Sequence, residues 1–158
     1  MSNLAIKPDQ KYTYADYKKW DDDERWELIY GEAYNMSPAP RRRHQRISGE
    51  IYREIANYLN GKTCEVYNAP FDVRLPLTKD DSDIKIDTVV QPDIVVVCNQ
   101  NKLDDAGCIG APDLVIEIIS ESTANRDLKI KFNLYEQVGV KEYWIIFPDE
   151  NVIQIFKL

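Results

Sequence analysis

The chain has 158 residues, of which 44% are hydrophobic, and carries a formal net charge of −7 at pH 7. This length predicts one compact domain over residues 1–158, and the composition excludes fibrous, collagen-like and disordered proteins. The acidic balance argues against a protein that grips nucleic acid by its bulk charge, but it leaves room for a local basic face. The arginine-rich segment 41–46 is a candidate for such a face, and a solvated charge run is its simpler structural explanation.

The sequence predicts neither a membrane span nor a signal peptide. A span requires about 18 consecutive apolar residues, and no run in this chain approaches that length. The first residues include Lys7, Pro8 and Asp9 and lack the apolar segment that signal peptides need. We therefore expect a cytoplasmic protein with no membrane partner.

The three cysteines predict neither a disulfide framework nor a structural zinc site. Cys64, Cys98 and Cys108 are odd in number and lack the C-x-x-C spacing that is typical of zinc ligands. Cys98 follows an apolar run, so we expect it to pack as a small hydrophobic side chain.

The N-terminal part of the chain predicts a short helix and then a hairpin. Thr13 can cap a helix over residues 14–21. Residues 26–30 and 32–36 predict two strands joined at Gly31, because a glycine between two apolar runs is typical of a tight turn.

The clearest helix is predicted from about Arg43 to Leu59. Its apolar side chains recur every four residues, and Gly61 follows its end. These side chains are Ile47, Ile51, Ile55 and Leu59. The next predicted elements are strands over residues 65–67 and 71–75 and a polar, acidic loop over residues 78–87.

Two continuous β-branched runs, residues 94–97 and 114–119, predict strands that are buried on both faces. Such runs are typical of central strands in a sheet covered by helices. The remaining predicted elements are a loop over 102–110, a helix over 127–138 that stops at Gly139, and strands over 143–147 and 151–158. The order of these elements predicts an α/β fold with a mixed sheet and helices packed on it.

Two carboxylates mark the predicted central strands. Glu117 shares a face with Val115 and Ile119, where a charge is costly to bury without a compensating partner. Asp93 stands at the start of the other buried run. If the strands are neighbours, the two carboxylates converge, and with a backbone carbonyl and waters they form oxygen ligands suited to Mg²⁺ or Mn²⁺. Such an ion polarises a phosphate and lowers the pKa of an attacking water.

Three further residues are candidates for the same site. Lys131 lies on the core-facing stripe of the last predicted helix, which comprises Leu128, Lys131, Tyr135 and Val138. A lysine beside a carboxylate can stabilise charge that develops on a phosphate, or it can orient a water. Glu27 is a third carboxylate in an apolar strand and could reach the site from the hairpin. His44 begins the long helix and could contact a phosphate.

Each candidate also has a structural explanation. Glu117 could form an ion pair with an arginine or lysine, and Asp93 could cap the start of a strand. Lys131 could extend along the edge of its helix. Glu27 could pair across a solvated hairpin, and His44 could be an ordinary surface residue.

The ordered motifs resemble the PD-(D/E)XK nuclease superfamily and, more closely, its Uma-Two group of restriction-endonuclease-like proteins. The superfamily signature corresponds to Pro92-Asp93 followed by Glu117. The Uma-Two resemblance covers almost the whole chain and rests on residues 27–32, 36–40, 44, 91–94, 110–118, 120–123, 127, 131, 134–135 and 139–144. Members of the group tend to run on through more C-terminal strand, so the comparison leads us to expect an edge strand that is missing or truncated in this chain.

The resemblance implies a nuclease core and divalent-metal cleavage of phosphodiester bonds in DNA. Asp93 and Glu117 would hold Mg²⁺ or Mn²⁺, with the carbonyl of Ile118 as a third ligand. The superfamily pattern expects a lysine where this chain has Ile119. The Uma-Two group is thought to move that lysine to the following helix, where Lys131 stands.

Two other functions stay open at this point. The chain could be a module that keeps the nuclease fold only to bind nucleic acid or protein, which its acidic charge and lack of a known DNA-reading motif favour. A carboxylate-pair hydrolase acting on sugars is remote, since the pattern lacks an aromatic platform for a sugar. Homodimers are common among such nucleases because a duplex offers two strands, but no residue here decides the oligomeric state.

Overall fold

The computed structural model describes residues 9–21, 23–36, 39–120, 124 and 126–158, without the side chains of residues 126 and 127. Within these ranges, no helix combines the length and the apolar composition that crossing a membrane requires. The helices and strands are α1 Tyr14–Tyr17, β1 Trp26–Ile29, β2 Glu32–Asn35, α2 Arg42–Leu59, β3 Glu65–Asn68, β4 Val73–Arg74, β5 Val89–Val90, β6 Ile94–Val97, β7 Leu103–Asp104, β8 Gly107–Ile109, β9 Leu114–Ile118, α3 Phe132–Val138, β10 Glu142–Phe147 and β11 Val152–Lys157.

The strands form two sheets rather than the one that the sequence predicts. A five-stranded sheet has the order β11-β10-β9-β6-β3, and a six-stranded sheet has the order β2-β1-β5-β4-β8-β7. Each contains one parallel pair, β9 with β10 and β4 with β8, among antiparallel neighbours. The predicted α/β class with mixed sheets is therefore confirmed, while the division into two sheets corrects the prediction.

The two β-branched runs are adjacent strands in the five-stranded sheet, as their composition predicts. β6 and β9 pair antiparallel, with Ile94 opposite Ile116. Alternation along the strands separates two apolar faces. One face packs against the isoleucines of α2, and the opposite face carries Val95 and Val115 and packs against α3.

The predicted hairpin is present, and it brings Glu27 into the interior. Both turn residues have positive φ, 52° at Tyr30 and 78° at Gly31, which matches the twist of the flanking strands. β1 pairs with β2 on one side and with β5 on the other, so it is an inner strand of the six-stranded sheet. The helix before the hairpin begins at Tyr14 as predicted but ends at Tyr17.

The predicted loop over residues 102–110 is wrong, because the structure has a small hairpin there. β7 and β8 pair antiparallel, and β8 also pairs with β4. Gly107 makes this approach possible, since a Cβ at that position would lie 2.2 Å from the carbonyl oxygen of Asp72. Strands of two or three residues are too short to leave an alternating apolar pattern in a sequence.

The last predicted helix is present in two parts. Residues Arg126–Lys131 form a π-helical segment, and α3 continues from Phe132 to Val138 before Gly139 with φ 85°. The wider π-helical turn changes the angular spacing of side chains. Leu128 is consequently 36% exposed and does not belong to the buried stripe, whereas Lys131 and Tyr135 are 1% and 0% exposed.

The prediction that the cysteines form no disulfide is wrong. Cys64 and Cys98 are bonded to each other, just beyond the pairing of Glu65 with Val97 that joins β3 to β6. Cys98 is therefore not a free hydrophobic side chain. Cys108 is the unpaired cysteine, and burial raises the pKa of its thiol to about 11. The three cysteines therefore comprise one disulfide-bonded pair and one buried thiol.

Reduction of the Cys64–Cys98 disulfide is expected to lower the free energy of unfolding by about 3–4 kcal/mol. The bond closes a loop between residues 34 positions apart, and a cross-link of that span restricts the unfolded chain by about this amount. Urea unfolding with and without a reducing agent measures the change. A Cys64→Ser/Cys98→Ser variant should no longer respond to reductant. Three titratable thiols in the denatured, unreduced protein would contradict the bond.

Candidate functional site

A buried acidic site lies where the two sheets meet. Glu27 comes from β1 in the six-stranded sheet, and Glu117 comes from β9 in the five-stranded sheet. Lys131 reaches both from the end of the π-helical segment. Asp93 immediately precedes β6, the neighbour of β9. The structure thus joins Glu27, Glu117 and Lys131 directly and places Asp93 at the start of the strand next to that of Glu117.

Lys131 joins the two glutamates directly. Its Nζ donates to Oε1 of Glu27 at 2.9 Å and to Oε1 of Glu117 at 2.8 Å. The side chains of Lys131, Glu27 and Glu117 are 2%, 0% and 6% exposed. Buried charges of this kind persist only when they are paired and hydrogen-bonded. The lysine therefore holds two carboxylates from different sheets in one place.

Tyr135 and Gln91 complete the hydrogen bonding of the two glutamates. The Tyr135 hydroxyl donates to Oε1 of Glu117 at 3.0 Å, and the backbone N–H of Gln91 donates to Oε1 of Glu27 at 2.8 Å. Burial, followed by the nearby Glu117 charge, raises the pKa of Tyr135, so its hydroxyl stays protonated and remains a donor. Sequence reasoning placed Tyr135 on the stripe of Lys131 but gave it no role. A polar side chain one turn from an inward lysine was the available signal.

A Tyr135→Phe variant is expected to lose about 1.5 kcal/mol of unfolding free energy, because a hydrogen bond to a buried carboxylate disappears while Lys131 still donates. The nuclease activity that the resemblance implies should also fall, since Glu117 becomes less firmly oriented. Chemical denaturation and a cleavage assay measure the two effects. Tyr58→Phe, at a tyrosine that is 71% exposed, is the control and should change neither. An unchanged stability of the Tyr135→Phe variant would contradict the bond.

Asp93 is hydrogen-bonded to β9 at Ile118, the residue that follows Glu117. Its Oδ2 accepts the backbone N–H of Ile118 at 2.7 Å, and its Oδ1 lies 3.1 Å from Nε2 of His44. The β6–β9 register pairs Ile94 with Ile116, and continuing it by one residue sets Asp93 opposite Glu117. The two predicted ligands are therefore neighbours at the end of β9.

His44 is a helix-start residue in the first turn of α2, but it is not an ordinary surface residue. Its side chain is 17% exposed and contacts Asp93 from the first turn of α2. Its Nδ1 is buried and has no hydrogen-bond partner within the described residues. Sequence reasoning could not place it, because the contact depends on how α2 crosses the end of β6.

The donor chemistry of the site fits a hard divalent cation. Oε2 of Glu27 is buried and has no hydrogen-bond partner among the described residues, a costly state that a cation relieves. Among the described side chains of the site, the carboxylates of Glu27, Asp93 and Glu117 outnumber the ammonium of Lys131, which favours a bound cation. Nowhere in the described ranges, this site included, do three His, Cys, Asp or Glu side chains already surround a position that a metal ion could occupy. The predicted ligand set, with two carboxylates and the Ile118 carbonyl, stays a prediction.

The fold matches a solved nuclease-like structure. A crystal structure titled as "a putative nuclease belonging to DUF820", from Anabaena variabilis, has a TM-score of 0.72, covering 92% of this chain and 79% of that chain at 19% identity. The fold class is therefore that of a nuclease-like α/β protein. The family model Uma2, described as "Putative restriction endonuclease", matches residues 14–158, and the chain belongs to this family. The predicted resemblance to the Uma-Two group is confirmed.

A curated relative is similar to most of this chain. An uncharacterized protein of Synechocystis sp., slr1290, is 28% identical over 147 residues, which cover 92% of this chain and 73% of that protein. The family description points to a hydrolase of the restriction-endonuclease type.

Proposed function

We propose that this protein is a metal-dependent endonuclease that hydrolyses phosphodiester bonds in DNA. The observation that carries the proposal is Lys131, a lysine buried between two carboxylates from different sheets. The stability of the core does not require such a buried ion network at the end of a central strand. Apolar residues of similar volume would pack there without the free-energy cost of burying charges. Family membership and the nuclease-like fold supply the reaction class.

In this proposal Asp93, Glu117 and the carbonyl of Ile118 hold Mg²⁺ or Mn²⁺. A bound ion of this type polarises a phosphate and makes its water more acidic. The charge excess of the site and its all-oxygen donor set favour such a hard cation over zinc or copper. Glu27 supports the site from the hairpin, since it fixes Lys131 on one side and the backbone of Gln91 on the other.

The ammonium of Lys131 has two roles in the proposal. It keeps Glu27 and Glu117 in place before substrate arrives, and it offsets negative charge that develops on the phosphate during attack. Tyr135 acts through Glu117 and is a positioning residue. Because these groups are held by packing and hydrogen bonds from both sheets, little reorganisation is needed when the reaction occurs.

A second candidate is a non-catalytic module that binds nucleic acid or protein. The specific observation in its favour is that Oε1 of Glu117 already accepts from both Lys131 and Tyr135. A network satisfied in this way can be purely structural. The net charge of −7 also weakens bulk attraction to nucleic acid.

Incubation of a supercoiled plasmid with the protein in Mg²⁺ or Mn²⁺ is expected to give nicked and linear DNA. Excess EDTA should stop the reaction, because the carboxylates alone do not activate a water. Calorimetry of the same protein should detect one divalent-ion site. Binding of DNA without any cleavage, together with no Mg²⁺ or Mn²⁺ binding that depends on Asp93, would replace the endonuclease by the binding module.

A further inference from the structure

Exposure within the acidic site rises toward the first turn of α2. The side chains of Glu27, Lys131 and Glu117 are 0%, 2% and 6% exposed, whereas those of Asp93 and His44 are each 17% exposed. A phosphodiester that reaches Asp93 therefore comes from the side on which His44 lies. His44 is the third residue of α2, so the start of this helix borders the approach to the site.

Four arginines surround His44 in the sequence, and we call them the arginine patch: Arg41, Arg42, Arg43 and Arg46. All four are exposed. Arg43 is fixed to the β10–β11 turn, since its guanidinium donates to Asp149 at 2.9 Å and to the carbonyl of Pro148. Within the described ranges, the guanidinium groups of the other three form no hydrogen bond or ion pair.

The patch is unfavourable for the helix that carries it. Basic side chains in the first turn oppose the positive end of the helix dipole, and the first turn of α2 contains no acidic residue. Arg42 and Arg46 are also separated by four residues, which sets two like charges on the same face. Residues that destabilise their own helix without a compensating contact inside the protein are typical of functional surfaces.

Two acidic residues close to the patch, Asp149 and Glu50, already have arginine partners. Asp149 is paired with Arg43, and Glu50 is paired with Arg53 further along the helix. Beyond roughly 8 Å, physiological salt screens the remaining negative charge of the protein. A strand of DNA that approaches Asp93 therefore meets local positive charge despite the overall charge of −7.

We infer that the arginine patch binds the phosphodiester backbone of duplex DNA where the duplex passes the start of α2. Guanidinium groups suit this partner because each can donate two hydrogen bonds to one phosphate. The contacts are to backbone and not to bases, so they set affinity and register without reading sequence. The inference rests on the proposed function and names the surface through which that same site meets its substrate.

The test compares the wild-type protein with an Arg41→Gln/Arg42→Gln/Arg46→Gln variant. Binding to a fluorescent DNA duplex is measured in EDTA over a range of KCl concentrations, so that cleavage does not interfere. Each lost phosphate contact lowers the salt slope of log K by about 0.9. We expect the slope to fall by about 2–3 and the Kd at 0.1 M salt to rise on the order of 10²-fold. In Mg²⁺ the variant should show a raised KM with little change in kcat.

A matched control carries the same change in net charge at other sites. Arg53→Gln/Lys62→Gln/Lys85→Gln removes three exposed cations outside the patch. Its salt slope should stay close to that of the wild-type protein. Equal slopes for the two triple variants, or no duplex binding by the wild-type protein, would overturn the inference. Tighter binding of an RNA duplex with the same dependence on the patch would overturn its assignment to DNA.

The outcomes separate this inference from the proposed function. If the wild-type protein cleaves DNA through Asp93 while the patch variant behaves like the control, the patch is not the contact surface and the endonuclease stands. If the patch variant loses its salt slope and the wild-type protein never cleaves, the contact surface stands and the endonuclease fails.

Discussion

Glu117→Gln and Asp93→Asn are each expected to reduce DNA cleavage by on the order of 10³-fold, with much smaller effects on folding. A metal ion contributes several kcal/mol to charge stabilisation in such reactions, and each 1.4 kcal/mol corresponds to a factor of ten. The replacement amides keep the size of the side chain. The Asp93→Asn variant also keeps one oxygen that can accept the backbone N–H of Ile118, as Asp93 does at 2.7 Å. Cleavage rates and urea unfolding of the purified variants measure the two effects.

The chain offers a matched control for Asp93. Asp113 also follows a proline, precedes a buried strand, and accepts the backbone N–H of Cys98 on the neighbouring strand at 2.7 Å. It differs in its partner, since it pairs with Lys141 rather than His44. Asp113→Asn should therefore leave cleavage within a few-fold of wild type. Equal losses in the two variants would mean that Asp93 only caps a strand.

Lys131→Met is expected to lower the free energy of unfolding by about 3–5 kcal/mol and to abolish cleavage. The substitution removes the ammonium that contacts both Glu27 and Glu117, which are 0% and 5% exposed, and a buried carboxylate that loses a charged partner is strongly destabilising. Methionine has nearly the same length, so the loss reflects charge rather than a cavity. Thermal and urea unfolding at pH 7 measure the effect.

Lys129→Met provides the comparison for Lys131, because Lys129 lies in the same π-helical segment and is exposed. Its stability should stay within about 0.5 kcal/mol of wild type. Adding Glu27→Gln to Lys131→Met should recover part of the lost stability, since one unbalanced charge is removed. A Lys131→Met variant as stable as Lys129→Met would contradict the buried ion network.

Elements with a strong periodic pattern could be predicted from the sequence. The four-residue spacing of isoleucines defined α2, and the two β-branched runs defined the adjacent strands β6 and β9. The same patterns indicated that Glu117 and Lys131 point inward, because a charged residue inside an apolar run or stripe has few other positions. The structure places both in the interior.

Features that depend on contacts between distant segments could not be predicted. The Cys64–Cys98 disulfide joins residues 34 positions apart, and nothing in their local sequence links them. The division into two sheets depends on strands as short as two residues. The π-helical segment changed the neighbours of Leu128, because a helical stripe assumes 3.6 residues per turn.

The contacts between the residues of the site could not be predicted from the sequence either. Sequence reasoning could propose Asp93, Glu117, Lys131 and Glu27 as candidates, because each is a charged side chain in or next to an apolar element. It could not show that Lys131 bridges carboxylates from different sheets, or that His44 contacts Asp93. Those contacts arise from the angles at which helices cross the strands.

A crystal structure of the protein soaked in Mn²⁺ tests the central claim most directly, because anomalous scattering locates the ion without assumptions. The account predicts one Mn²⁺ within coordination distance of carboxylate oxygens from both Asp93 and Glu117, with Lys131 still beside Glu117. Mn²⁺ bound only elsewhere, or an unchanged Asp93 that keeps its contacts with Ile118 and His44 at saturating Mn²⁺, would contradict it.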